Sequence, residues 1–127
     1  MPTVLVVDDE RSMRRALRQI FERNGLTVAE ASSAREASEL VGRDPSIAAV
    51  VCDFLMPELN GLAFYDELKL IAPHLCRRMV FLTGVAQEPV VHRSIEERGV
   101  PLISKLDDLQ LVLDAVRLAL LRDGKTG

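Results

Sequence analysis

A chain of 127 residues, 48% hydrophobic and 28% charged, is long enough to bury one ordinary core and too short for two. A net charge of -3 at pH 7, with no lysine–arginine block and no aromatic–basic interleaving, argues against a nucleic-acid partner. No apolar stretch approaches the roughly 20 residues that span a bilayer, and the opening MPTVLVVDDE has no basic leader, so a cytoplasmic protein with no membrane partner is expected.

The first candidate strand is Val4-Leu5-Val6-Val7, and a helix follows from Ser12 to Arg23 with Met13, Ala16, Leu17, Ile20 and Phe21 on one face. Asn24-Gly25 supplies its stop. Leu26 to Ala29 is a weaker strand, and Ser33-Ala34-Arg35-Glu36 has the form of a capping box opening a helix to about Val41. A strand over Ile47 to Cys52 comes next, then a helix from Leu62 to Ile71 closed by Pro73. Met79 to Leu82 is the fourth strand, Pro89 to Arg98 a short helix, and Pro101 to Ile103 a weak fifth strand. The last helix covers Asp107 to Arg122, with Leu109, Leu113, Val116 and Leu120 as its core stripe. Residues 1–122 are expected to form one domain, and residues 123–127 a frayed tail.

The three strongest apolar runs are continuous rather than alternating, as in strands covered on both faces. Strict β–α alternation implies a parallel sheet with right-handed crossovers and helices on both sides. The expected fold is α/β, with five parallel strands and five helices. Such a sheet gathers its functional groups at the carboxyl ends of the strands, near the reversal of strand order.

Those ends carry Asp8, Asp9 and Glu10 after strand one, Asp53 after strand three, Thr83 after strand four and Lys105 after strand five. Clustered carboxylates repel one another unless a cation neutralises them. Oxygen ligands without histidine or cysteine favour Mg²⁺ or a similarly hard ion. Carboxylates around such an ion, with a mobile lysine, form a site for a phosphoryl group, and an aspartate can be the nucleophile that accepts it. Asp53 then ends a buried strand in its ionised form because metal and lysine share its site. Cys52 points the opposite way along the strand and reads as a core residue, while Cys76, His74 and His92 fall in loop or helix-surface contexts. With no CxxC pair, both cysteines are expected as free thiols.

The segments LVVDDE, CDFLMPELNG, FLTG and ISK, in that order, resemble the receiver domain of the two-component response-regulator family, over about residues 3 to 121. The Asp53–Thr83 and Asp53–Lys105 intervals of 30 and 52 residues fit that family. The resemblance implies a flavodoxin-like fold and a phosphorylation-dependent switch, not an enzyme acting on a separate metabolite. Asp53 is then the phosphoacceptor, supplied by a histidine kinase or phosphotransfer domain. Mg²⁺ is held by Asp9, Asp53 and the Leu55 backbone carbonyl, with Asp8 acting through water. Thr83 would turn inward to the phosphoryl oxygens, Lys105 would pair with them, and Pro57 and Gly61 would shape the loop after the nucleophile. The chain fits either a stand-alone regulator or the receiver of a larger protein such as a hybrid histidine kinase. The alternatives are a degenerate receiver that binds partners independently of phosphate, and a phosphatase or phosphotransferase, which would carry an acidic residue where Leu55 stands.

Several positions depart from the family pattern. Leu106 stands where a proline commonly follows the lysine through a cis bond, so a trans peptide is expected and the reach of Lys105 becomes a question for the structure. Leu102 replaces a frequent aromatic residue, so the usual threonine–aromatic readout is altered. Gly84 and Pro89 imply a mobile loop and a short fourth helix. Leu55 and Val85 are apolar where the attacking water would pass, which predicts slow dephosphorylation. On the last helix, Leu111, Ala115 and Leu118 form a second apolar line suited to a partner helix or a dimer mate.

Overall fold

The computed structural model describes residues 2–57, 60–85 and 87–122. The strands are β1 (Thr3–Val7), β2 (Thr27–Ala31), β3 (Ile47–Asp53), β4 (Met79–Thr83) and β5 (Leu102–Ser104). They form one parallel sheet in the order β2-β1-β3-β4-β5. The helices are α1 (Arg11–Arg23), α2 (Ala34–Arg43), α3 (Gly61–Ile71), α4 (Pro73–Cys76), α5 (Pro89–Glu97) and α6 (Leu109–Leu120).

The continuous apolar runs are explained by two covered faces. Leu5, Val7, Val50, Cys52 and Phe81 point to one side, against Ala37 of α2, Phe64 and Leu68 of α3 and Ile95 of α5. Val4, Val6, Val51, Val80 and Leu82 point to the other, against Leu17 and Phe21 of α1 and Val112, Leu113 and Val116 of α6. Neither face can be polar, so the period-two pattern vanishes.

Local chemistry sets the helix starts. The Ser33 hydroxyl accepts the Glu36 amide at 3.1 Å, but the Glu36 carboxylate accepts from Ser32, so only half of the anticipated capping box forms. Asn60 caps α3 by accepting the Ala63 amide, and Asp108 caps α6 by accepting the Gln110 amide. Pro73 does more than end α3: it occupies the first turn of the extra helix α4, giving six helices among the described residues rather than the five expected. That short turn buries Cys76, whose Sγ lies 3.7 Å from the Tyr65 carbonyl, instead of leaving it at a surface. Both cysteines are buried and free.

The core stripe of α6 is rotated from the expected one. Val112, Leu113, Val116 and Ala119 are buried, while Leu109 and Leu120 flank them. Ala115 packs toward that core, so of the second apolar line only Leu111 and Leu118 are exposed. The expected tail, 123–127, lies outside the described residues. Among the described residues no helix is long and apolar enough to cross a membrane.

Candidate functional site

The strand order reverses between β1 and β3, and the carboxyl ends of those two strands carry Asp8 and Asp53 side by side. Asp8 follows β1 directly and is 1% exposed. Its amide continues the ladder to the Ala31 carbonyl at 3.1 Å, and its Oδ1 accepts the Glu10 amide at 2.9 Å. Asp53 is the last residue of β3 and is also buried; its Oδ1 accepts the Leu55 amide at 3.2 Å.

Lys105 joins these groups from beyond β5. Its Nζ lies 2.9 Å from Asp8 Oδ2, 3.1 Å from Asp53 Oδ2 and 3.2 Å from Glu10 Oε1. The question raised by Leu106 is therefore answered: the lysine reaches the crevice without a proline after it. No cis peptide occurs among the described residues. The Lys105 amide donates to the Thr83 carbonyl at 2.8 Å, extending the β4–β5 ladder. The turn beyond closes on Ser104, whose Oγ accepts the Leu106 amide and whose carbonyl accepts the Asp107 amide, each at 3.1 Å. Leu106 itself points to solvent, 89% exposed.

Burial pushes the Asp8 and Asp53 carboxyls above their ordinary pKa, and Asp8 raises Asp53 further; Lys105 pulls both back only in part. Burial also works against the ammonium of Lys105. Its hydrogen bonds and charge contacts with the two aspartates together outweigh that penalty and raise its pKa. One lysine does not neutralise this site.

A divalent ion fits the deficit. Carboxylate oxygens of Asp8, Asp9 and Asp53 all lie within 4.8 Å of one another, with Asp9 exposed and the other two buried. Asp8 Oδ2, although close to Lys105 in charge contact, has no well-directed hydrogen bond and is shut off from solvent. A buried carboxylate oxygen that shares its ammonium with Asp53 and Glu10, beside two more carboxylates, is a donor set for a hard cation. Leu55, the source of the expected backbone ligand, is bridged to Asn60 across the loop. Gly61, whose amide donates to the Phe54 carbonyl at 2.7 Å, can approach this closely because it has no side chain to strike Phe54 and Phe81.

Thr83 is buried at the end of β4, but its hydroxyl is engaged with the following loop. Leu102 is partly buried against the core, and Leu55 and Val85 are 48% and 56% exposed. Two groups were missed by sequence reasoning. Arg14 of α1 donates to the Asp8 carbonyl at 2.6 Å and pairs with Glu30 of β2 at 3.1 Å, bracing the peptide that joins Asp8 to Asp9. The signal available was Glu30, the one charged residue of β2. Gln87 contacts Thr83, and no pattern in the sequence marks it.

The sequence profile of the response regulator receiver domain matches residues 4–117. Nodulation protein W of Bradyrhizobium diazoefficiens is 36% identical over 122 residues, covering 96% of this chain; the chain spans 52% of that protein's length. Among solved structures, a response regulator receiver domain protein from Clostridium thermocellum superposes with a TM-score of 0.81 at 27% identity, covering 94% of each chain. The beryllofluoride-activated NtrC4 receiver domain dimer gives 0.82 at 27% identity, covering 94% of this chain and 97% of its own. By profile, sequence and fold, this chain belongs to the response regulator receiver domain family, a family of regulatory domains of two-component systems.

Proposed function

We propose that this chain is a phosphorylation switch in which Asp53 accepts a phosphoryl group from a phosphohistidine of a histidine kinase or phosphotransfer domain. The observation that carries the reading is the Lys105 ammonium held between Asp8 and Asp53, in a cluster of carboxylates that includes Asp9. Asp9, Asp53 and the Leu55 carbonyl would hold Mg²⁺ directly, and Asp8 through water. The ion, when bound, neutralises charge that builds on the transferring phosphoryl group. Asp53 supplies the attacking oxygen, and Lys105 at 3.1 Å favours its ionised form against the opposing effects of burial and Asp8. Once the bond from an Asp53 oxygen to phosphorus forms and the P–N bond to the donor histidine breaks, Lys105 can move its contact from Asp53 Oδ2 to an oxygen on the phosphorus, because the phosphoryl group is attached to that same carboxyl group. Thr83 would donate its hydroxyl to another phosphoryl oxygen after leaving its loop partners.

The switching unit is residues 1–122, acting in the cytoplasm, with its output carried by surfaces rather than by turnover of a metabolite. Exposed Leu111 and Leu118 on α6 are one such surface, suited to a dimer mate or a partner helix. Replacing both with lysine and measuring mass in solution and kinase recognition tests it; two unchanged results reject that surface.

The central test uses Mg²⁺ with a small phosphodonor, and separately with beryllofluoride. A mass gain of one phosphoryl group, and shifted amide spectra with beryllofluoride, are expected in the native chain and absent in Asp53→Asn. If the native chain shows neither, it is an interaction module that works without phosphate.

A further inference from the structure

In the resting structure the entire hydrogen-bonding capacity of the Thr83 hydroxyl is used inside the loop after β4. It donates to the Val85 carbonyl at 2.8 Å, and it accepts from the Val85 amide at 3.3 Å and from Gln87 Nε2 at 3.0 Å. A hydroxyl has one donor and two acceptor lone pairs, so nothing is left over. The Gln87 amide nitrogen also lies 3.1 Å from the Val85 carbonyl. A carbonyl only accepts, so the side-chain NH₂ of Gln87 must face this cluster, and its two protons serve the two oxygens. Gln87 thus closes a ring with Thr83 and Val85.

We infer that Gln87 is a positioning residue that holds the Thr83 hydroxyl in its loop-bonded orientation and so sets the threshold for phosphoryl binding at Asp53. The inference rests on the proposed phosphoacceptor role and deepens it. To donate to a phosphoryl oxygen, Thr83 must withdraw its proton from Val85 and turn away from Gln87. The Val85 carbonyl is not orphaned by that move, because Gln87 still donates to it. The bond from Gln87 to Thr83 Oγ1, by contrast, exists only in the resting orientation. It therefore weights the equilibrium against the switched state, and a ligand that needs the switched state binds more weakly by that weighting.

Gln87 lies beside the cleft of about 470 Å³ whose wall includes Val85, Leu102 and Ser104. Leu102 presents only aliphatic carbon there, so it offers no polar partner that could hold the hydroxyl in either position. The amide of Gln87 takes that task from across the loop.

The test is a titration of the full chain with beryllofluoride at fixed Mg²⁺, followed by amide chemical shifts. Gln87→Ala removes both donated bonds, and Gln87→Leu keeps most of the side-chain bulk but cannot donate; water can replace the exposed bond to the Val85 carbonyl in either variant. Losing one hydrogen bond to a hydroxyl changes the equilibrium by about threefold to tenfold, so both variants should bind beryllofluoride that much more tightly. In a Thr83→Ala background the gain should vanish. Unchanged or weaker binding, or an equal gain without the Thr83 hydroxyl, overturns the inference. A second readout does not need the phosphoryl site at all: the side-chain couplings of Thr83 in the resting chain report its χ1 population. Gln87→Ala should mix that population, while an unmixed rotamer overturns the inference even where beryllofluoride fails to bind the native chain. Failure of the native chain to bind it, on the other hand, removes the phosphoacceptor reading.

Discussion

Replacing Lys105 with methionine isolates the charge problem of the crevice. The substitution keeps most of the side chain's apolar length and removes only the ammonium, which lies 2.9 Å from Asp8 Oδ2 and 3.1 Å from Asp53 Oδ2. At these distances and an effective dielectric near 20, each contact has a gross Coulomb energy of about 5 kcal/mol. The contact with exposed Glu10 adds little, because water screens it. Desolvation of the ammonium offsets much of the gross attraction, and removing one partner from a buried ionic group costs about 3–5 kcal/mol in measured cases. We expect Lys105→Met to lose that amount in urea unfolding near neutral pH with chelator present. The pH dependence has a definite sign. Asp8 and Asp53 have folded pKa values raised above their ordinary value of 3.8. A raised carboxyl pKa gives stability that is present below the unfolded value and lost as pH rises through the folded one. Without Lys105 both values rise further, so the variant's deficit should shrink in mild acid as the folded carboxyls take up protons. Mg²⁺ should shrink it too, by supplying the missing positive charge. A deficit of equal size in acid, at neutral pH and with Mg²⁺ would refute the electrostatic reasoning and leave only lost packing of the lysine stem.

Three further outcomes follow from particular contacts. A Cβ on Gly61 would lie 2.8 Å from Phe54 Cδ1 and 2.9 Å from Phe81 Cε1. Gly61→Ala should therefore cost about 1–3 kcal/mol of stability by overpacking, and a native urea midpoint would contradict this. Arg14→Ala removes the 2.6 Å bond to the Asp8 carbonyl, and loss of such a supporting partner should weaken Mg²⁺ binding about tenfold in calorimetry; unchanged affinity would show that the β1–α1 turn holds its own shape. Leu55 and Val85 offer no polar group to orient water, so Leu55→Asn should shorten the lifetime of the phosphorylated chain as followed by mass. An equal lifetime would reject apolar exclusion of water as the cause of slow loss.

The alternation of elements and the acidic strand ends were legible because each rests on strong local signals. Continuous apolar runs identify doubly covered strands wherever they fall, and Asp8 and Asp53 each stand at the end of such a run, while Lys105 follows the weaker, half-buried β5. What escaped notice was set by packing between distant segments. The rotation of α6 that buries Val112 and Ala119 depends on the sheet face it meets, since Leu, Val and Ala residues surround most of that helix. Pro73 carries both a stop signal for α3 and a start signal for α4, and only burial of Leu75 and Cys76 decides between them. Arg14 and Gln87 are polar residues among many, given roles by partners 16 and 4 residues away.

The reach of Lys105 is the case where the sequence pattern and the geometry diverge most, and Ser104 accounts for the difference. Family members commonly aim the lysine with the proline after it; here the turn is braced by Ser104, which holds the Leu106 amide with its hydroxyl and the Asp107 amide with its carbonyl. Ser104→Ala removes the first bond and leaves the second, at a cost of about 0.5–1.5 kcal/mol. If that bond only tidied an exposed turn, its cost would be the same whether or not the lysine were present. If it aims the ammonium, part of its value resides in the Asp8 and Asp53 contacts. The cost of Ser104→Ala should then fall by more than half when measured in Lys105→Met, because residues acting through one network are not additive. Equal costs in the two backgrounds would assign the placement of Lys105 to the β4–β5 ladder alone, through its amide bond to Thr83.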